Sequence, residues 1–373
     1  MKKILVIFGT RPEAIKMSPL VKELQKRQDI CCKVCVTAQH RQMLDQVLTI
    51  FGIIPDYDLD IMKARQTLSQ ITTAALLGLE EILLQEKVDL ILVHGDTTTT
   101  FVGALAAFYH QIPVGHVEAG LRTWNKYSPF PEEMNRQMVD RIATLFFAPT
   151  EESRKNLLLE NIDDSMICVT GNTAIDALAM TVQKNYTHPQ LEWAKGSRLI
   201  LLTAHRRENL GDAMKHIFHA VRRITEEFED VKVIYPIHLN PVIRETAEEI
   251  FAGSERVRLI EPLDVIDFHN FLSHAYLVMT DSGGIQEEAP SLGKPVLVLR
   301  DTTERPEGVA AGTLKLVGTK EEDIYQDTAK LLRDPDTYLK MSEAANPYGD
   351  GKASIRIADA VESYFESGKP HFQ

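Results

Sequence analysis

Short apolar runs alternate along this chain with longer segments of helical period. In the first half the runs are Lys2–Phe8, Lys33–Thr37, Asp89–His94, Pro113–Val117, Leu145–Ala148 and Met166–Thr170. In the second they are Arg198–Thr203, Lys232–Ile237, Val257–Ile260, Ala275–Met279, Pro295–Leu299 and Thr313–Val317. Runs this apolar lack the in–out alternation of a sheet with one wet face. They predict parallel strands covered by helices on both sides. Twelve strands are better divided between two sheets than held in one. The fold class expected is α/β, with two Rossmann-like doubly wound domains facing a central cleft.

The predicted break follows Gly171-Asn172. Residues 1–172 form the first domain and 173–352 the second, and a last amphipathic helix within 353–373 is expected to pack back on the first. A chain of 373 residues has room for two such domains. In doubly wound sheets, ligands bind beyond the carboxyl ends of the strands. The residues just past each apolar run are therefore the ones to read for chemistry.

Composition narrows the partners. The formal charge, 41 − 53 = −12, is a poor footprint for nucleic acid or an anionic membrane surface. No stretch approaches the ~20 apolar residues of a membrane span, and the N-terminal run is cut short by Gly9, Arg11 and Glu13, unlike a signal peptide. A cytoplasmic protein is expected. Cys32 and Cys35 have CxxC spacing but fall on a predicted strand. There, residues three apart face opposite sides, which suits neither a metal nor a disulfide. Together with Cys31 and Cys168 they read as structural thiols.

The most chemically loaded stretch is DSGGIQEEAPSLGKPVLVLRDTTERPEG, Asp281 to Gly308. It reads as strand end, glycine-rich turn, a helix over 285–292, then a second strand. The first turn of a helix leaves N–H groups unpaired at its positive end, so Ser282, Gly283 and Gly284 would seat a phosphate. Glu288, one turn on, is placed to accept hydrogens from ribose hydroxyls, and Arg305 could close on a diphosphate. The alternative is a capped helix in an α/β core.

Other strand ends add charge. Arg11 and Lys16 follow the first run, at a helix start. Asp96 follows the third, where its ordinary role would be a helix N-cap. Glu118 ends the fourth; a carboxylate leaving an apolar strand is costly unless paired or functional. Glu132 and Glu133 open a helix after a proline-stiffened loop, where they could be dipole-favoured charges. Asp96, Glu118 and Glu132 together look more like acid–base machinery. In the second half, His205 and Arg206 follow the first run and His238 the second. They could bind an anion or protonate a leaving oxygen, or be ordinary loop residues.

These segments resemble the non-hydrolysing UDP-N-acetylglucosamine 2-epimerases of bacteria. FGTRPEAIK, VHGDTTTT, HVEAGLRT, PFPEEMNR, TAHRREN, EPLDVIDF, the 281–308 stretch and NPYGDG follow the family pattern in order, from residue 4 to about 360. The resemblance implies a fold like that of GT-B glycosyltransferases, a homodimer, and no metal or redox cofactor. It implies interconversion of UDP-GlcNAc and UDP-ManNAc at C2 of the sugar, with UDP as a bound intermediate and the product feeding bacterial surface polysaccharides. The implied catalytic set is Asp96, Glu118, Glu132 and His205. The implied substrate contacts are Arg11, Lys16, Leu263, Phe268, Ser282, Gly283, Gly284, Glu288 and Arg305. At Leu263 the contact would come from the backbone. A second UDP-GlcNAc, bound as an activator, would touch Gln39, Gln42, Arg65, Arg206 and His238. Three rivals share the nucleotide seat: a hydrolysing epimerase that releases free ManNAc and UDP, a glycosyltransferase, and a catalytically silent nucleotide-sugar sensor.

Overall fold

The structure, a computed structural model, describes residues 1–38, 41–63 and 65–372, the side chain of Gln42 apart. The chain divides into two units, residues 1–180 with 348–373, and residues 181–347. The first unit holds strands β1 (Lys2–Phe8), β2 (Ile30–Val36), β3 (Tyr57–Asp58), β4 (Leu90–His94), β5 (Val114–Val117), β6 (Leu145–Ala148) and β7 (Ile167–Val169). They form one sheet in the order β3-β2-β1-β4-β5-β6-β7. Neighbouring strands are parallel throughout. The two-residue β3 is not announced by any apolar run.

The second unit holds β8 (Arg198–Thr203), β9 (Val231–Pro236), β10 (Val257–Ile260), β11 (Leu277–Thr280), β12 (Val296–Val298) and β13 (Leu314–Leu316). Their order is β10-β9-β8-β11-β12-β13, again parallel. In both sheets the order reverses between the first strand and the fourth. That is the switch point at which a doubly wound sheet opens a crevice.

Apolar continuity becomes burial on both faces. Ile4, Leu5, Val6, Ile7 and Phe8 of β1 are all buried, as are Leu199, Ile200, Leu201 and Leu202 of β8. In the second unit, Ile200, Leu202, Val233 and Tyr235 pack with Ile217, Phe218 and Val221 of the Asp212–Glu227 helix. In the first, Leu5, Ile7, Ile91 and Val93 pack with Val102, Ala106 and Ala107 of the Thr98–Tyr109 helix. Each large aliphatic side chain removed from water contributes roughly 1.5–3 kcal/mol before chain entropy is set against it.

The break between units falls one helix later than the sequence reading placed it. The Thr173–Thr181 helix stays with the first unit because Asp176 on it receives the backbone N–H groups of Ala353 and Ser354, at 3.1 and 2.7 Å. Asn172 N also donates to Tyr348 O at 2.8 Å. These bonds seat the Ala353–Ser367 helix in the first unit. Among the described residues, no helix is long and apolar enough to cross a membrane. Cys35 and Cys168 are buried, Cys31 and Cys32 are half-buried, and all four are free thiols. Burial pushes Cys32 and Cys35 up to about 12, so both stay protonated and inert at neutral pH.

Candidate active site

In the first unit the candidate side chains lie around the switch point between β1 and β4. Glu13 is buried there, on the first turn of the Arg11–Leu24 helix. It accepts Gly9 N at 3.1 Å and Thr10 N at 2.8 Å from the β1 turn, and Thr97 Oγ1 at 2.8 Å and Thr100 Oγ1 at 3.1 Å from the β4 turn. Burial raises its proton affinity above the usual carboxylate value, although the hydroxyl and backbone donors pull the other way. One carboxylate thus ties two turns together. Gly9 is required by close approach: a Cβ there would lie 2.0 Å from Thr37 Oγ1 and 2.6 Å from Thr99 Oγ1. Arg11 opens the helix, half-buried, and makes no ion pair among the described residues.

Glu118 follows β5 with a left-handed backbone, φ 66°. That is unusual for a residue with a side chain and costs of order 1–3 kcal/mol, a strain that clusters at functional positions. Its carboxylate is nearly buried. Oε2 pairs with Lys16 Nζ, accepts Asn172 Nδ2 at 3.0 Å, and stands 3.7 Å from His94 Nε2. The sequence-derived demand that this carboxylate be paired or functional is met by Lys16. Burial drives His94 down to about 4, so its ring is neutral, and its Nε2 has no hydrogen-bond partner among the described residues.

The helix Glu132–Ile142 organises the rest. Glu132 is its first residue, and Oε2 of this side chain is buried with no hydrogen-bond partner among the described residues. Glu133 is fully buried and structural; it accepts Thr123 N at 2.9 Å, Trp124 N at 3.1 Å and Gln137 Nε2 at 2.9 Å. Asn135 Nδ2 donates to Asp96 O at 2.8 Å, and Arg136 Nη2 reaches Asp96 Oδ2 at 2.5 Å. The cap of the next helix is Thr97, whose hydroxyl accepts Thr100 N at 3.1 Å. Asp96 is therefore spared the N-cap role.

Further along the same helix, Asp140 is buried against His116 Nδ1 at 2.5 Å and Arg122 Nη2 at 2.6 Å, and accepts Gly120 N at 3.3 Å. The other nitrogen of His116 lies 2.8 Å from Gly95 O. Burial alone would raise Asp140, but the charges and hydrogen bonds of His116 and Arg122 outweigh it and hold this carboxyl below its usual value. One helix thus carries Glu132 and fixes the turns that bear Asp96 and Glu118.

In the second unit the corresponding junction lies between β8 and β11. Asp281, fully buried, accepts the backbone N–H groups of His205 and Arg206 through Oδ2, both at 2.8 Å, and Asn209 Nδ2 at 3.1 Å. The Gly283–Ser291 helix begins two residues earlier than the sequence suggested, with Ser282 as its N-cap. The Ser282 side chain makes no capping bond, so it does not occupy the first-turn N–H groups. Arg206 flanks this turn: its Nη2 lies 3.8 Å from where a Cβ on Gly283 would sit. Arg206 Nη2 also meets Glu304 Oε1 at 3.3 Å, and Arg305 Nε pairs with the buried Glu287. A cationic rim is therefore held in place by carboxylates.

Glu288 Oε2 lies 3.8 Å from His269 Nε2, and His269 Nδ1 is 2.6 Å from Thr181 Oγ1. Leu263 sits half-buried in the loop after β10, and Phe268 lies on the Val265–His274 helix that follows. The His205 and His238 rings stack at 5.8 Å, 13° from parallel. His238 Nδ1 also accepts Asn240 N at 3.1 Å, the loop role that the sequence allowed. Of the positions tied to an activator, Gln39 and the side chain of Gln42 lie outside the described residues. Arg65 is exposed in a turn after β3, with φ 59°.

Sequence reading passed over Glu13, His116, Arg136, Asp140 and Asp281. Each carries charge in or beside a motif already singled out, and the available signal was a charged side chain that must be buried in an apolar context.

The UDP-N-acetylglucosamine 2-epimerase family model matches residues 22–362. A UDP-N-acetylglucosamine 2-epimerase of Bacillus subtilis is 66% identical over 359 residues, which is 96% of this chain and 94% of that one. The structure of S. aureus MnaA with UDP superposes with a TM-score of 0.92 at 53% identity, covering all of both chains. A Neisseria meningitidis UDP-GlcNAc 2-epimerase bound to UDP-GlcNAc gives 0.88 at 50% identity, over 98% of this chain and 100% of that one.

Proposed function

The chain belongs to the UDP-N-acetylglucosamine 2-epimerase family, and we propose that it interconverts UDP-GlcNAc and UDP-ManNAc by eliminating UDP and adding it back. C2–H of the sugar has no carbonyl beside it, so direct deprotonation is very unfavourable. In an elimination, a base takes the C2 hydrogen as the C1–O bond breaks. The products are 2-acetamidoglucal and UDP, and no redox step is needed. Re-addition places UDP on C1 while an acid returns hydrogen to the other face of C2.

The observation that carries this reading is the Glu132–Ile142 helix, which bears one carboxylate and clamps the turns of two others. Asp96, Glu118 and Glu132 supply separately held groups for removing and returning a proton, and negative charge near an oxocarbenium-like sugar. Lys16 pairs with Glu118 and holds its carboxylate in place. The departing diphosphate falls to the second unit. There Ser282, Gly283 and Gly284 offer N–H groups, Arg305 and His205 offer positive charge or hydrogen bonds, Glu288 takes the ribose, and Leu263 and Phe268 take the base. Arg11 is proposed as a further cation for the diphosphate.

A homodimer and a second UDP-GlcNAc acting through Gln39, Gln42, Arg65, Arg206 and His238 complete the proposal. The dimer is supported by the exposed Leu77, Leu84, Phe108 and Tyr109 of the Leu68–Gln85 and Thr98–Tyr109 helices, an apolar surface that water disfavours. Sedimentation at micromolar concentration tests it, and a monomer there contradicts it. For the activity, purified protein is incubated with UDP-GlcNAc and followed by NMR. UDP-ManNAc growing to a stable ratio supports the reading, free ManNAc with stoichiometric UDP indicates the hydrolysing reaction, and unchanged substrate refutes both.

A further inference from the structure

We infer that Asp281 is a positioning residue that holds His205 with Nδ1 inward and Nε2 outward, and that this pair takes up a proton when a nucleoside diphosphate occupies the first turn of the Gly283–Ser291 helix. The inference rests on the nucleotide-binding part of the reading above.

Asp281 Oδ2 is satisfied three times over, by two backbone N–H groups and Asn209. Oδ1 is buried and has no hydrogen-bond partner among the described residues. It stands 3.3 Å from His205 Nδ1. A buried carboxylate oxygen calls for a donor, and the ring nitrogen is the group that faces it. The proton of the neutral ring therefore belongs on Nδ1, which leaves Nε2 bare on the opposite edge. The His205 side chain is 42% exposed, so the pair has a buried end and an open one.

The charged and titratable groups that face this ring are Asp281, the stacked His238 and Arg206. Burial lowers the proton affinity of His205; Asp281 opposes that shift, and His238 and Arg206 reinforce it. At rest the ring is neutral. β8 and β11 are paired side by side, with Thr203 opposite Thr280, so the His205-Arg206 turn lies beside the Ser282 turn. A diphosphate arriving there adds negative charge to the open side. Nε2 then takes one proton from solvent, Nδ1–H stays on Asp281, and Nε2–H donates to a phosphate oxygen. The proton returns to solvent when the nucleotide leaves. By linkage, nucleotide affinity rises as pH falls through the bound-state value of His205 and levels off below the free-state value.

The test is calorimetric titration with UDP, near neutral pH, in buffers of different ionisation enthalpy. Proton uptake by the wild-type chain, abolished in both Asp281→Asn and His205→Asn, is the expected result. Binding without uptake, or uptake that survives Asp281→Asn, overturns the inference. Nitrogen-15 NMR of the His205 ring in the wild-type chain decides the matter if Asp281→Asn does not fold. Nδ1 should be protonated and Nε2 bare in the free protein, and the reverse tautomer overturns the proposal. If UDP gives no heat in any buffer, the nucleotide reading fails, and the free-state tautomer still tests the role of Asp281.

Discussion

Arg136 Nη2 lies 2.5 Å from Asp96 Oδ2, one helical turn beyond Glu132. The arginine side chain is 13% exposed; its Nη1 also meets Glu133 Oε2 at 3.4 Å, and its Nε has no hydrogen-bond partner among the described residues. In the proposed reaction this contact aims Asp96.

Arg136→Gln should therefore lower kcat by ~10²-fold, the cost of misplacing a catalytic group. KM for the nucleotide sugar should change little, because Arg136 is not among the residues proposed to seat the nucleotide. Steady-state kinetics on the variant checks this. A loss confined to KM would contradict it.

Arg305 should govern nucleotide affinity. Losing its charge-assisted bonds should cost ~1.5–3 kcal/mol, about 10- to 10²-fold in Kd for UDP. Arg305→Met also removes the ion pair to the buried Glu287, so the stability loss must be separated from the binding loss. Arg305→Met with Glu287→Gln should recover stability and leave UDP binding weak. If the double variant binds UDP like the wild type, Arg305 has no place in the diphosphate site.

Gly9→Ala should destabilise the first unit by about 1–3 kcal/mol, since its methyl group would displace the hydroxyls of Thr37 and Thr99, themselves bonded at 2.8 Å. Adding Thr37→Ala should recover part of that loss. Denaturant titration of the three chains tests the steric account, and it fails if Gly9→Ala unfolds like the wild type.

His94 predicts a pH dependence of stability. Its ring titrates at about 4 when folded and near 6.5 when unfolded. Between these values the unfolded chain binds the extra proton, so stability falls as pH drops from 6.5 toward 4, by up to about 3 kcal/mol for this group. His94→Gln should flatten that limb. Melting curves across the window decide it, and an equally steep loss in the variant would rule out His94 as the source.

The sheets were legible because burial of most strand positions on both faces makes the strands predominantly apolar. The twelve predicted runs correspond to twelve of the thirteen strands among the described residues. β3 was invisible because two residues carry no period. The place of the Thr173–Thr181 helix in the first unit was not legible, since Asp176 on it accepts two hydrogen bonds, from Ala353 and Ser354, far along the chain. At the candidate site, Asp96, Glu118 and Glu132 were legible from their position after strands and at a helix start. The groups that aim them were not, because the contacts of His116, Arg136 and Asp140 depend on packing between elements. Glu133 shows the converse: next to Glu132 in sequence, it spends its carboxylate on Thr123 and Trp124.

The account stands or falls on whether C2 exchanges its hydrogen with solvent. Incubation with UDP-GlcNAc in D2O, followed by NMR of the recovered nucleotide sugars, should show deuterium at C2 of UDP-ManNAc and, at equilibrium, of UDP-GlcNAc. Glu118→Gln and Glu132→Gln should slow that exchange ~10²-fold or more. UDP-ManNAc formed with its original C2 hydrogen intact would contradict elimination and re-addition.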